Sequence, residues 1–377
     1  MPKNNLQKPS FALKSLYLLN FKNYEETSFR FGTGIQSLTG RNGIGKTNLL
    51  DAIHYLCMTR SAFHTNEHYN ILQGKQHFIL RGEFEYNGNT LALGCQYEKG
   101  KRKIFKLDKV EYERMSEHIG KFPCVMLIPD DSALIREGSE VRRKFFDNLI
   151  CQTDSNYLQN LLRYNQALKQ RNYLLKKFGD RTLREDKELL EPYTHILLSL
   201  SKSIAQKREQ YAAALLPIFE TLYQKISGKL EKMEIRYSTK VDEGFEQFFR
   251  AAYPQDLALQ RTTQGIHQDR YTFHMGGQPL KRFGSQGQQK SFLIALKLAK
   301  AQLIMQQTNI SPVLLLDDIF DKLDETRISN LLEVLGSENR SQIFLTDARP
   351  ERSEMLLKEV GVQHQIFSLG DESQRTV

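Results

Sequence analysis

The sequence has no long apolar run. A membrane-crossing helix needs about 18 consecutive apolar residues, and the candidates around Ile196–Leu200 and Val313–Leu316 are only a few residues each. The first ten residues, MPKNNLQKPS, are polar and lack the apolar stretch of a secretory signal. Cysteine is scarce. Cys57, Cys95, Cys124 and Cys151 form no CxxC pair and show no metal-ligand spacing. The expectation is a reducing, cytoplasmic setting with no membrane partner. The nine His form no metal cluster, and no tandem repeat of fixed period is visible. These absences argue against a helical membrane protein, a disulfide mini-domain and a fibrous protein.

What is present is material for a large core. The 377 residues are 40% hydrophobic and 26% charged, and at about 150 residues per domain they predict two to three domains. Lys plus Arg number 53 against 44 acids, a net charge of +9. That bias suggests an acidic partner, and on charge alone nucleic acid and a membrane surface both fit, neither being proved.

Phe11–Asn20 and Gly34–Thr39 read as strands, and a glycine-rich turn leads from the second into a helix marked by Leu49, Leu50, Ile53 and Leu56. Residues 78–107 alternate like short strands broken by turn dipeptides. A helix is predicted from Ser139 to Ile150. Two amphipathic stripes follow. Leu161, Tyr164, Leu168, Leu175 and Phe178 mark the first, which skips one position at Arg171; Tyr193 to Leu222 marks the second. Thr182 to Glu185 resembles a capping box between them. The prediction is a helical hairpin projecting on the order of 40–60 Å, with Pro217 kinking its second helix near Ala213. After about Gly265 the α/β pattern returns. The expected organisation is a flexible tail 1–10, an N-terminal lobe 11–137, an inserted arm 138–255 and a C-terminal lobe 256–377.

Gly40-Arg41-Asn42-Gly43-Ile44-Gly45-Lys46-Thr47 matches G-x-x-x-x-G-K-[ST] at every fixed position. Such a loop wraps its backbone N–H groups around a triphosphate, and the following helix N-terminus adds positive potential. Lys46 is predicted to reach the β- and γ-phosphates of ATP, and Thr47 to ligate Mg²⁺. Val313–Leu316 is a wholly apolar strand ending in Asp317 and Asp318. Asp317 is predicted as the second Mg²⁺ residue and Asp318 as the carboxylate that polarises an attacking water. On its own, such a strand is common.

Most of the chain separates Lys46 from Asp317. A gap so wide, filled by a helical hairpin, resembles the ABC-type ATPase head with a coiled-coil insertion. Ser285-Gln-Gly287-Gln288-Gln289 opens a helix shortly before Asp317, where such ATPases carry a signature sequence. The resemblance implies that Ser285, Gly287 and Gln288 contact the γ-phosphate held by a partner subunit, and that Asp324 lies in the D-loop at the dimer interface. Taken alone, SQGQQ also reads as a polar helix cap. Thr346-Asp347 stands where many such ATPases have a switch His, and Asp130 and Asp131 are the candidates for a Q-loop.

LYLLNFKNYEE, IPDDSALIREGSEVRRKFFD, IHQDRYTFHMGGQPLKRFGSQGQQKS and LLLDDIFDKLDETR, together with the glycine loop, make the sequence similar to the RecF family of bacterial replication and repair proteins, relatives of Rad50 and SMC heads. The resemblance implies an ATP-dependent DNA-binding protein that dimerises on ATP, hydrolyses it slowly, and works with RecO and RecR at gapped single-strand/duplex junctions to help load recombinase. Competing readings are a transporter ATPase subunit and an SMC-type chromosome-structuring protein, although the arm is short for a tether. For DNA contact the basic candidates are Arg60, Lys101, Arg102, Lys103, Arg142 and Arg143. Any of these clusters also reads as a solvated face.

Overall fold

A computed structural model of the chain describes residues 11–228, 231–321, 323–337, 341–359, 361 and 363–370. The expected tail, 1–10, lies outside them. The described residues divide into two compact units, one within 11–132, 218–228 and 285–370, the other of residues 133–217 and 231–284.

The first unit opens with β1 (Phe11–Phe21), β2 (Tyr24–Arg30), β3 (Ile35–Thr39), α1 (Lys46–Met58), β4 (His77–Tyr86), β5 (Asn89–Glu98), β6 (Ile104–Leu107), β7 (Val110–Glu111) and β8 (Cys124–Leu127). The second holds α2 (Ala133–Arg136), α3 (Ser139–Cys151), α4 (Ser155–Gly179), most of α5 (Glu191–Ser227), β9 (Met233–Ser238), α6 (Phe245–Ala251), α7 (Tyr253–Ala258), β10 (Arg270–Met275), β11 (Gln278–Pro279) and α8 (Leu280–Phe283). The chain then returns to the first unit as α9 (Gln286–Thr308), β12 (Val313–Leu316), α10 (Glu325–Ser337), β13 (Ile343–Asp347), α11 (Pro350–Glu359) and β14 (His364–Ser368).

Two sheets organise the first unit. A parallel sheet in the order β14-β3-β13-β12-β8 interleaves strands from both chain ends. Its β3, β8, β12 and β13 are buried along their whole length, as expected of parallel strands covered on both faces. The antiparallel sheet, β2-β1-β4-β5-β6-β7, alternates buried and open positions along β4, so only one face meets the core. That core includes Leu49, Leu50, Ile53 and Leu56 of α1, with Leu16, Leu80 and Phe84 from one sheet and Leu38, Leu315 and Phe344 from the other. The helix that follows the glycine loop is thereby held between both sheets.

The second unit contains the hairpin. Thr153 meets Tyr211, Tyr157 meets Arg208 and Arg171 meets Thr194, so numbers rise along one helix as they fall along the other. The helices are antiparallel, 25 and 37 residues long. The position skipped in the first stripe, Arg171, is buried as well. Its guanidinium pairs with Asp256 at 2.7 Å, bonds Thr262 and lies over the Phe249 ring. Pro217 sits inside α5 without ending it, and the chain passes between units there.

Three expectations are corrected. Residues 256–284 belong to the second unit, because β10 pairs with β9 and packs on α3 while α7 packs on α4. Residues 218–228 belong to the first. Thr182–Glu185 caps no helix: the Thr182 hydroxyl donates back to the Lys177 carbonyl, and Glu185 accepts from Tyr253.

Candidate functional site

The glycine loop joins β3 to α1. Gly45, which caps α1, has φ 114°, and a Cβ there would lie 2.5 Å from the Asn23 side chain. Both the backbone and the close approach demand glycine. Asn23 donates to the Ile44 carbonyl at 3.0 Å and accepts from the Asn48 amide at 2.7 Å; the Tyr24 hydroxyl donates to the Gly45 carbonyl at 3.1 Å. The β1–β2 turn thus braces the loop from outside. Ile44 packs beside Gly370 and Gly40. Lys46 Nζ curls back to the Gly40 and Arg41 carbonyls at 2.6 and 3.1 Å. These acceptors hold the ammonium over the loop, where an incoming phosphate can compete for it.

Thr47, the second residue of α1, donates to the Asp317 carboxylate at 2.9–3.0 Å. The two chain ends meet in that bond. Thr346, from the end of β13, donates to Asp317 Oδ1 at 2.8 Å and accepts from the Asp318 N–H at 2.9 Å. One hydroxyl therefore fixes both acids, with Asp318 held at φ 48°, an uncommon conformation for a side chain-bearing residue. Asp317 is buried and Asp318 exposed. Burial pushes the Asp317 carboxyl above its ordinary value; the Thr346 and Thr47 hydroxyls pull it down, nearby Asp318 pushes it up, and Lys46 pulls it down.

This shift has a sign. A carboxyl raised in the folded state makes its ionised form a cost to folding, and the cost grows as pH rises through the raised value. Asp317→Asn is therefore expected to melt at a higher temperature than the parent at neutral pH, with the difference closing as pH falls. Calorimetric scans across pH check this.

Asn42, Gly43, Gly45, Lys46, Thr47, Asp317, Asp318 and Thr346 line one cavity of about 320 Å³, walled also by Asn48, Pro129 and Ala348. Its chemistry is that of a polyanion site: a cation, loop N–H groups at a helix N-terminus, and a hydroxyl–carboxylate pair of the hard oxygen donors that suit Mg²⁺. Asp131 stands outside this lining, accepting from Ile128 N–H and pairing with Lys297 of α9 at 2.7 Å.

Ser285, Gly287, Gln288 and Asp324 do not line this cavity. They make a second cluster, where Ser285 caps α9 in a capping box. Its hydroxyl accepts from Gln288 N–H at 3.2 Å, and the Gln288 side chain accepts from Ser285 N–H at 2.8 Å. Asp324 accepts from the Arg327 N–H at the start of α10. The Arg327 guanidinium lies against Gly287, a contact that composition and spacing did not flag.

The basic candidates separate. Arg142 spends its donors on four backbone carbonyls, those of Leu134, Ile135, Glu137 and Tyr271, at 2.8–3.0 Å. Arg143 donates to the Asp269 carbonyl at 2.7 Å. Lys103 bonds the Thr59 carbonyl, pairs with Glu67 and covers the Tyr55 ring. Each of these three side chains bonds carbonyl groups of the fold, Arg142 the most of them. Arg60 and Arg102 are exposed, and Lys101 is exposed beside Glu98. The open face of the antiparallel sheet instead carries a trough of about 570 Å³ whose lining includes Arg30, Arg81, Lys106 and Lys109. Among the described residues, Arg30, Lys106 and Lys109 pair with no carboxylate.

A parallel sheet closed from both chain ends, a glycine loop at its edge, an acidic strand end beside that loop and an inserted helical hairpin define a P-loop ATPase head of the ABC type. The family model "RecF/RecN/SMC N terminal domain" matches residues 12–366. The chain belongs to the RecF family: it is 46% identical over 347 residues to the DNA replication and repair protein RecF of Cytophaga hutchinsonii, covering 92% of each chain. It is 41% identical to the RecF of Flavobacterium johnsoniae, over 95% of this chain and 99% of that one. Among solved structures, the recombination mediator RecF with ATP, from the RecFOR pathway, superposes with a TM-score of 0.82 at 29% identity, covering 90% of this chain and 92% of that one. The Smc head of Pyrococcus furiosus, at 17% identity and a TM-score of 0.56, covers 96% of this chain and 94% of that one, and shares the fold. The family assignment displaces the transporter reading.

Proposed function

We propose that this chain is an ATP-switched DNA-binding protein of replication and repair, acting as a RecF. The observation that carries the reading is the Thr47–Asp317 bond, which brings a glycine-loop hydroxyl and a strand-end carboxylate together inside a cavity sized for phosphates. In this reading the loop N–H groups and Lys46 bind the β- and γ-phosphates of ATP. Thr47 and Asp317 hold Mg²⁺, which when bound screens phosphate charge. Asp318, its backbone fixed by Thr346, presents an exposed carboxylate to a water near the γ-phosphate. Ser285, Gly287, Gln288 and Asp324 serve the nucleotide of a second copy, so ATP joins two copies about a two-fold axis. RecO- and RecR-like mediators and gapped single-strand/duplex DNA are the expected partners.

The trough of the antiparallel sheet supports a DNA role better than the half-buried Arg142 and Arg143 do, whose guanidinium groups bond carbonyls of the fold. Arg30→Glu, Lys106→Glu and Lys109→Glu together are expected to weaken DNA binding at least about tenfold at low salt and to reduce the log K against log salt slope by about 2–3. Fluorescence anisotropy with gapped duplex, titrated against salt with ATP, ADP and no nucleotide, tests both site and function. A wild-type chain that ignores this DNA at low salt under all three conditions overturns the reading. A triple variant that binds like wild type removes the trough from it.

A further inference from the structure

Arg327 occupies an electrostatically costly position. It lies in the first turn of α10, and its guanidinium reaches across to the first turn of α9. There a Cβ added to Gly287 would sit 2.1 Å from its Nη1 and 3.3 Å from its Cζ. Two helix N-termini, of 13 and 23 residues, therefore converge on one permanently charged cation. Helix N-termini carry partial positive charge and favour anions, so a guanidinium there is repelled from both sides.

Little compensates it. The Arg327 side chain is only 13% exposed, yet among the described residues its one charged partner is Asp324, at 3.5 Å and itself 59% exposed. A guanidinium carries five N–H donors, and one long contact leaves most of them unanswered. Donors in that state call for an acceptor with several oxygens on one atom, which phosphate supplies bidentately. Gly287 has no side chain to keep such a group away.

We infer that Arg327 is a further phosphate-binding residue of the nucleotide site shared between two copies: its guanidinium contacts the terminal phosphate of the ATP held by the second copy, beside Ser285 and Gly287. This inference rests on the ATP-joined dimer proposed above and adds to it a cation acting in trans. It also gives a physical reason for ATP to favour the dimer, since a terminal phosphate relieves the repulsion at Arg327 that each separate copy carries.

Mixing separates action in trans from action in cis. Full-length Arg327→Gln and Lys46→Ala chains are labelled with donor and acceptor dyes, and energy transfer is followed as ATP is added. Alone, Arg327→Gln is expected to need at least about tenfold more protein to dimerise with ATP than wild type, from loss of a charge-assisted contact. Mixed with Lys46→Ala it regains ATP-dependent transfer, because Lys46 of one copy and Arg327 of the other complete one site. Arg327→Lys, run in parallel, falls between wild type and Gln; it replaces Gln in the mixture if Gln melts early by circular dichroism. A wild-type signal with no recovery in the mixture overturns the inference and leaves the dimer standing, as does an Arg327→Gln chain that dimerises like wild type. A wild-type chain that does not dimerise with ATP overturns both.

Discussion

Lys46→Ala is expected to lower ATP affinity by about two orders of magnitude, the scale of a lost charge-assisted contact to phosphate in a partly enclosed site. Among the described residues the Lys46 ammonium bonds the Gly40 and Arg41 carbonyls, both on its own loop. Its loss removes the cation that replaces those acceptors with phosphate and breaks no contact between elements. The melting temperature without nucleotide should therefore barely move. The stabilisation that ATP confers on the wild type, which grows with the logarithm of ligand over Kd, should largely vanish. Equilibrium titration with a fluorescent ATP analogue and melting scans with and without ATP measure the two effects. Unchanged affinity would show that the nucleotide binds elsewhere. A large fall in melting temperature without ATP would show that Lys46 is a structural residue.

Lys46 was legible because its motif encodes backbone geometry locally: glycines where the chain turns, then a helix start. The same holds for Val313–Leu316, whose unbroken apolar run reads as a strand, and the structure buries it along its whole length. The braces of the site were not legible in that way. Asn23 and Tyr24 act by donating to loop carbonyls from a distant strand turn, and no spacing rule links position 23 to position 45. Charge patterning is ambiguous for a related reason. Arg142 and Arg143 form a basic cluster in sequence, but a string of basic residues does not say whether its donors face water or buried carbonyls. The skipped stripe position at Arg171 carried a similar ambiguity, because a helical face can be continued inward by an ion pair as well as by leucine. The boundary expected near residue 256 failed because pairing of β10 with β9 is non-local, and only the strand register reveals which unit owns the segment.

Asp269→Ala is expected to destabilise the second unit by about 2–3 kcal/mol, the cost of leaving donors at a buried site, one of them charged, without their acceptor. Asp269 Oδ2 accepts from Arg208 at 2.8 Å and from the Tyr237 hydroxyl at 2.6 Å. Arg208, on α5 and 2% exposed, also bonds Asp147 and the Ile266 carbonyl. The network ties α3 through Asp147, α5 through Arg208 and the β9–β10 pair through Tyr237 and Asp269, so it holds the hairpin to the small sheet. Removal of Asp269 leaves the guanidinium with Asp147, the Tyr157 hydroxyl and one carbonyl, and strips the Tyr237 hydroxyl of its acceptor in a part-buried setting. Burial and the Asp269 charge already push that hydroxyl well above its ordinary value, so it stays a neutral donor and needs one. Asp269→Asn keeps the shape and an acceptor oxygen but removes the charge, and should lose less. Glu234→Ala is the contrast. Glu234 pairs with Arg236 at the surface, and such exposed pairs are worth about 0–1 kcal/mol. Urea melts followed by tyrosine fluorescence should rank the variants Glu234→Ala, Asp269→Asn, Asp269→Ala in increasing loss. An Asp269→Ala chain as stable as the Glu234→Ala chain would show that the buried network contributes no net stability to the second unit.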